Sequence, residues 1–317
     1  MRQLAIVLLV VVVIGGTYYS VRTNTEVDSL RVQSGVKLEG KSVAGYTEAE
    51  LGAYLDSLIT KQTEPPIQPK LDSVTKGVVP GLAGRQVDRS KTIDEVLSAR
   101  EDEEVAYIWE PVLPEPTPLD VPIYQGNPHK QQMTLVVNVA WGNDELLQML
   151  DIFDQYSITT TFFLVGRWAD KFPELVQAIH GRGHEFGNHA YSDPHLPQLA
   201  DERIAEEIRS TTAAIHKAVG EAEVAFFSPP YNDFNDKVVK VAASLDYQTV
   251  ICSLDTADWM RPGVERIVRR IVPNAHNGAI VLMHPTEQTP DALEQIIPAL
   301  LRDRKSTRLN SSHGIIS

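Results

Sequence analysis

The sequence has almost no cysteine: Cys252 is the only one. No disulfide can form within the chain, and a cysteine-rich metal or redox centre is excluded. Basic runs are also missing. Against 42 Asp and Glu stand 29 Lys and Arg, for a net charge of −13. With no basic stripe to track a phosphate backbone, nucleic acid is excluded as a partner. The Gly-x-Ser-x-Gly turn that exposes a serine nucleophile is absent, so an α/β-hydrolase type of esterase has nothing in its favour. Long apolar runs are confined to the N-terminus. There Leu4–Gly16 is apolar, follows Arg2, and is extended by Thr17, Tyr18 and Tyr19. That length is short of the ~20 residues of a full span but suits a signal-peptide core or a short signal anchor. No Ala-x-Ala cleavage site follows, which favours the anchor: the chain is expected at the membrane, its bulk outside the cell.

What is present is ordinary globular material, 43% hydrophobic and 22% charged, enough for two cored domains in 317 residues. Residues 35–110 predict a small α+β module. Thr47 and Glu50 form a capping box ahead of a helix with Leu51, Leu55, Leu58 and Ile59 on one face, and Asp88 opens a second helix. Residues 111–128 hold six prolines and predict a semi-rigid extended linker. Over 129–302 strand and helix patterns alternate, which predicts a parallel α/β architecture with active residues at the C-terminal ends of strands. The last residues, 303–317, break the pattern in composition and are expected to be an artefactual tail outside the fold.

Four motifs stand in this second region: Thr161-Phe162-Phe163-Leu164-Val165-Gly166, Gly183-His184-Glu185-Phe186-Gly187-Asn188-His189, Asp255-Thr256-Ala257-Asp258-Trp259 and Leu282-Met283-His284. In order and spacing they resemble the polysaccharide deacetylase (NodB-homology, carbohydrate esterase family 4) family. The small module more loosely resembles a peptidoglycan-binding domain through Gly35–Gly40 and Pro80–Asp88. The deacetylase resemblance implies a distorted (β/α) barrel and removal of acetyl groups from peptidoglycan or chitin-like glycans. It also implies a divalent metal held by an aspartate and two histidines. The metal polarises the acetyl carbonyl and its water, a second aspartate takes the water's proton, and a late histidine protonates the leaving amine.

Carried over residue by residue, His284 matches the catalytic acid and Asp258 the carboxylate that orients it. His189 matches the first metal histidine. The second falls on Asp193, with His195 two residues on, so His189, Asp193 and His195 are the candidate ligands, for which Zn²⁺ is suited. Trp259 and Tyr231 are the candidate glycan contacts. His184 is expected to pack or cap rather than ligate. The two aspartates of the first motif fall on Ala140 and Trp141, neither of which can take a proton or hold a metal. The arginine that pairs with the base in the family falls on Ser228, and an unpaired arginine there would be a costly buried charge. Two readings follow: a cell-envelope amidohydrolase with an altered site, or a non-catalytic relative that binds peptidoglycan or another N-acetylated glycan. Ala140 favours the second and the Asp258–His284 pair the first.

Overall fold

The computed structural model describes residues 30–302 and 308–309. The N-terminal apolar segment, and with it the expected anchor, lies outside the described residues. No helix among those described is long and apolar enough to cross a membrane. The chain divides into two compact units, one containing residues up to 63 with 86–110, the other residues 64–85 with those from 111 onward.

The first unit holds two helices and short strands, and residues 64–85, expected with them, cluster with the second unit instead. Its helix Glu48–Gln62 starts with the reciprocal Thr47–Glu50 capping box, and Asp88 caps the helix Arg89–Ser98 through Lys91 N. Val36, Leu38, Leu51, Leu55 and Val96 fill its core.

In the second unit seven strands lie parallel: β1 Gln132–Val139, β2 Thr161–Leu164, β3 Glu185–Asn188, β4 Phe226–Phe227, β5 Gln248–Thr249, β6 Leu254–Asp255 and β7 Ile280–Met283. Their order is β5-β4-β3-β2-β1-β7-β6. Between them run α1 Asn143–Gln155, α2 Gly166–Lys171, α3 Pro173–Gly181, α4 Asp201–Val219, α5 Asp236–Ala243 and α6 Val264–Ile271, with α7 Thr289–Arg302 following β7. Central β1 is buried along almost its whole length, as a strand covered on both faces must be. Its side chains pack with Leu146, Met149, Leu150 and Phe153 of α1 and with Leu293, Ile296 and Ile297 of α7.

The sheet curls without closing, since no ladder joins β5 to β6 among the described residues. Only four residues separate these strands, too few for a helical crossover of a dozen or more. The edge is covered by the proline-rich segment instead. Ile123 is fully buried, bridges to Val250, donates its N–H to Thr249 O (2.9 Å) and accepts from Ile251 N (2.7 Å). Residues 111–128 are therefore not simply a spacer: prolines, which suit sheet edges, flank a segment that adds Ile123 to the edge of the open sheet. Arg308–Leu309, in the segment expected to stand outside the fold, pair in parallel with the start of β1.

Candidate active site

The strand ends supply one cleft, a cavity of about 390 Å³. β1 contributes Asn138 and, just beyond its end, Ala140 and Trp141; the loop after β3 contributes His189 and Asp193; the turn after β4 gives Tyr231 and Asn232; β6 and the turn after it give Asp255 and Trp259; β7 ends in Leu282 and His284. Of the residues singled out in the sequence, His189, Asp193, Tyr231, Trp259 and His284 thus meet in one place.

Asp258 lies directly behind the cleft, fully buried. Its Oδ1 accepts from His284 Nδ1 (2.9 Å) and Trp259 N (2.9 Å), and its Oδ2 from His284 N (2.7 Å) and Thr289 Oγ1 (2.9 Å). The expected orienting pair is present. With Nδ1 committed to the carboxylate, Nε2 is the ring nitrogen of His284 left for other partners. Beside the imidazole lies the indole of Trp141 in an offset stack, the ring planes within 6° of parallel and the centroids 5.7 Å apart. An indole thus stands against His284, at the position where the resemblance implies a carboxylate.

The three candidate metal ligands do not form a site. His189 Nδ1 is 2.7 Å from Ser228 O and Nε2 is 3.4 Å from Asn138 Nδ2. The consistent tautomer donates from Nδ1 to the carbonyl and accepts the amide proton at Nε2, the nitrogen a metal would otherwise take. Asp193 accepts the Tyr231 hydroxyl (2.9 Å). His195 falls outside the cleft lining. It pairs with Asp233 (2.8 Å) and stacks on Tyr231 at 4.7 Å between centroids. Among the described residues no three His, Cys, Asp or Glu groups could hold a metal ion. The donors fail because each has found another partner: Asp193 and His195 now brace an aromatic ring. The divalent metal implied by the resemblance does not fit this residue set. Ser228 also lies outside the lining, with its carbonyl serving His189.

Sequence reasoning missed Trp141 as a surface, treating it only as a lost carboxylate. It also passed over Asn138, Asn232 and Asp255 as lining groups. Trp141, Trp259 and Tyr231 are 48%, 56% and 61% exposed, so three aromatic side chains stand open around the cavity. The signal for Asp255 was its place at a strand end, three residues before Asp258. For Asn232, beside Tyr231 in a loop, the sequence carried none. Tyr231, Asn232, Asp193 and Ala257 all have left-handed backbone (φ 59°, 52°, 61° and 51°). Such strain collects where a loop must aim side chains at a site.

His184 packs, as expected, edge-on to Phe153 and Phe162, accepting Thr160 N at Nδ1 (3.3 Å). Burial pulls both His184 and His189 down to about 4, below the ordinary histidine value near 6.5. The unfolded chain therefore binds more protons between those values. Stability should be full above about pH 6.5 and fall as pH drops toward 4, by up to about 2 kcal/mol for each imidazole at pH 5. Thermal denaturation at pH 7.5 and pH 5 measures this, and His184→Leu and His189→Gln should each flatten the dependence. A Tm unchanged between the two would show that neither ring is held neutral.

Comparison with known proteins fits this geometry. Residues 125–250 match the polysaccharide deacetylase family model. The chain is 33% identical over 248 residues to the uncharacterized protein YlxY of Bacillus subtilis strain 168, spanning 76% of this chain and 77% of that one. It is 38% identical over 159 residues to a peptidoglycan-N-acetylglucosamine deacetylase of Bacillus cereus, spanning 48% and 74% respectively. Among solved structures it resembles a CE4 family pseudoenzyme from Bacillus anthracis, with a TM-score of 0.68, 30% identity, and 84% and 95% of the two chains covered. A mutant of such a pseudoenzyme described as having restored enzymatic activity aligns at a TM-score of 0.67 and 29% identity, over 84% and 98%. With four motifs in register, an orienting Asp–His pair beneath the cleft and relatives matched over most of their length, the chain is a member of the polysaccharide deacetylase family.

Proposed function

We propose that this chain binds an N-acetylated cell-wall glycan in the cleft without hydrolysing it. The observation that carries the reading is the ring stack of Trp141 on His284, with Ala140 beside it. Where deacetylation needs a proton acceptor and a metal carboxylate there is a methyl group and an indole. A sugar ring offers an apolar face to an aromatic one and hydroxyls to flanking polar groups. Trp141, Trp259 and Tyr231 provide the faces, while Asn138, Asp193 and Asp255 provide partners for hydroxyls and the acetamido group. Relatives named for peptidoglycan-N-acetylglucosamine and chitooligosaccharide deacetylation support N-acetylglucosamine oligomers as the ligand class. The apolar segment before Thr17 would keep the chain at the membrane with the remainder outside, which fractionation with or without an N-terminal truncation tests.

One observation favours a second reading, residual hydrolysis: the Asp258–His284 pair retains the geometry of an orienting carboxylate and an acid. The discriminating experiment combines calorimetric binding of N-acetylglucosamine oligomers with acetate release. The full chain should bind and release no acetate. Trp259→Ala and Tyr231→Ala should each weaken binding by roughly 3–10-fold, as loss of about 0.5–1.5 kcal/mol of ring stacking implies. Binding untouched by both substitutions would refute the cleft as the glycan site.

A further inference from the structure

The glycan cleft has a neighbour of opposite character. On the far side of the turn Asp258–Met260 lies a depression of about 580 Å³, lined by Met260, Arg261, Arg266, Arg269 and Arg270 with Ala257 and Pro262. Positions 266, 269 and 270 of α6 are spaced i, i+3, i+4 and so share one helix face. Ile267 and Ile271 bury the opposite face in the core. Arg261 joins them from the turn. In a chain of net charge −13 four guanidinium groups around one hollow are a local concentration, not a general surface trend.

Their neutralisation is slight. Arg261 meets Glu287 and Arg269 meets Glu265 only at 3.9 Å, with all four side chains well exposed, and Arg266 enters no ion pair among the described residues. Arg270 is fixed by donating Nε to Asp255 O (3.0 Å), which ties α6 to a residue of the cleft. The turn between the two sites is flanked by two left-handed non-glycine residues, Ala257 (φ 51°) and Arg261 (φ 52°). This constrained backbone sends Trp259 into the cleft and Met260 into the depression. A ligand crossing the turn would touch both.

We propose that the arginine depression is a subsite for phosphodiester groups carried on the wall glycan whose sugar rings lie on Trp259; the proposal rests on the glycan-binding reading above. Arginine, with its planar fork of donors, suits the paired oxygens of a phosphate better than a lysine point charge does. Several guanidinium groups around one hollow match a repeated anion better than a single carboxylate. The acidic remainder of the chain repels a long polyanion, so the site selects an anion presented beside a glycan.

The test is co-sedimentation of the full chain with purified cell-wall sacculi that carry a phosphodiester polymer and with the same sacculi stripped of phosphate by hydrofluoric acid. Binding to the phosphate-bearing wall should be tighter by about tenfold and should weaken with salt. The R266E/R269E double variant, or R266Q/R269Q should the reversals disturb folding, should bind both walls at the stripped-wall level. Equal affinity for the two walls, or no response to either double variant, overturns the proposal. So does an oligothymidylate of similar charge bound as tightly as the phosphate-bearing wall, since a generic cationic patch would then suffice. Failure of the cleft reading looks different: Trp259→Ala would leave stripped-wall binding unchanged while the arginine variants still abolished the phosphate-dependent part.

Discussion

Replacing Asp258 by alanine is expected to lower the unfolding free energy by about 3–5 kcal/mol. Urea denaturation of the full chain measures it, as a fall in the midpoint with little change in slope. The carboxylate is fully buried and accepts four hydrogen bonds, from the His284 and Trp259 backbones, the His284 ring and Thr289. Truncation orphans these donors, and each buried donor left without a partner costs about 1–3 kcal/mol. Relaxation and water entry hold the total below the simple sum. Asp258→Asn keeps the shape but turns one end from acceptor to donor, so a smaller loss of about 2 kcal/mol is expected. A loss under about 1 kcal/mol for the alanine variant would show that the network does not hold the strand ends together. The point reaches function. A carboxylate that knits β7, the 258–260 turn and the start of α7 is retained for the fold whether or not His284 ever protonates a leaving group.

Much of the second unit was legible in the sequence because its elements are long and strongly periodic. β1, α1, α4 and α6 all fall within the alternating strand and helix patterns of 129–302. Two short pieces were not. β6 is two residues long and α2 only six, too brief for any period to show. The packing of Ile123 against the sheet edge was hidden because six prolines read locally as an extended spacer, while their partners lie over a hundred residues away. In the site, His189, Asp193, Tyr231, Trp259 and His284, singled out separately in the sequence, line one cavity. The sequence could not say what each side chain would bond to. The expectation of a metal cluster lapsed on four hydrogen bonds, His189 to Ser228 O and to Asn138, Asp193 to Tyr231, and His195 to Asp233, each a contact across 38 or more residues.

The wild-type chain is expected to release no acetate from N-acetylglucosamine oligomers and to retain no stoichiometric Zn²⁺ after dialysis, whereas Ala140→Asp, Trp141→Asp, Asp193→His and Ser228→Arg together should gain both. Loss of a general base alone removes about 10²–10⁴-fold of rate, and regaining it sets the scale of the expected increase. The four changes are coupled, and their coupling is testable before any activity appears. Ser228 is buried, so Ser228→Arg alone places an unpaired charge in the interior and should cost about 3–5 kcal/mol. Ala140→Asp supplies its partner, and the pair should cost much less than the two single changes summed, which a double-mutant cycle in urea reads directly. Trp141→Asp uncovers the face of His284, and Asp193→His meets a left-handed backbone (φ 61°) that histidine tolerates better than most residues. Acetate from the unmodified chain, abolished by His284→Ala, would overturn the binding reading. The base would then have to be one of the two carboxylates already lining the cavity, Asp193 or Asp255, and Asp255→Asn would decide between them.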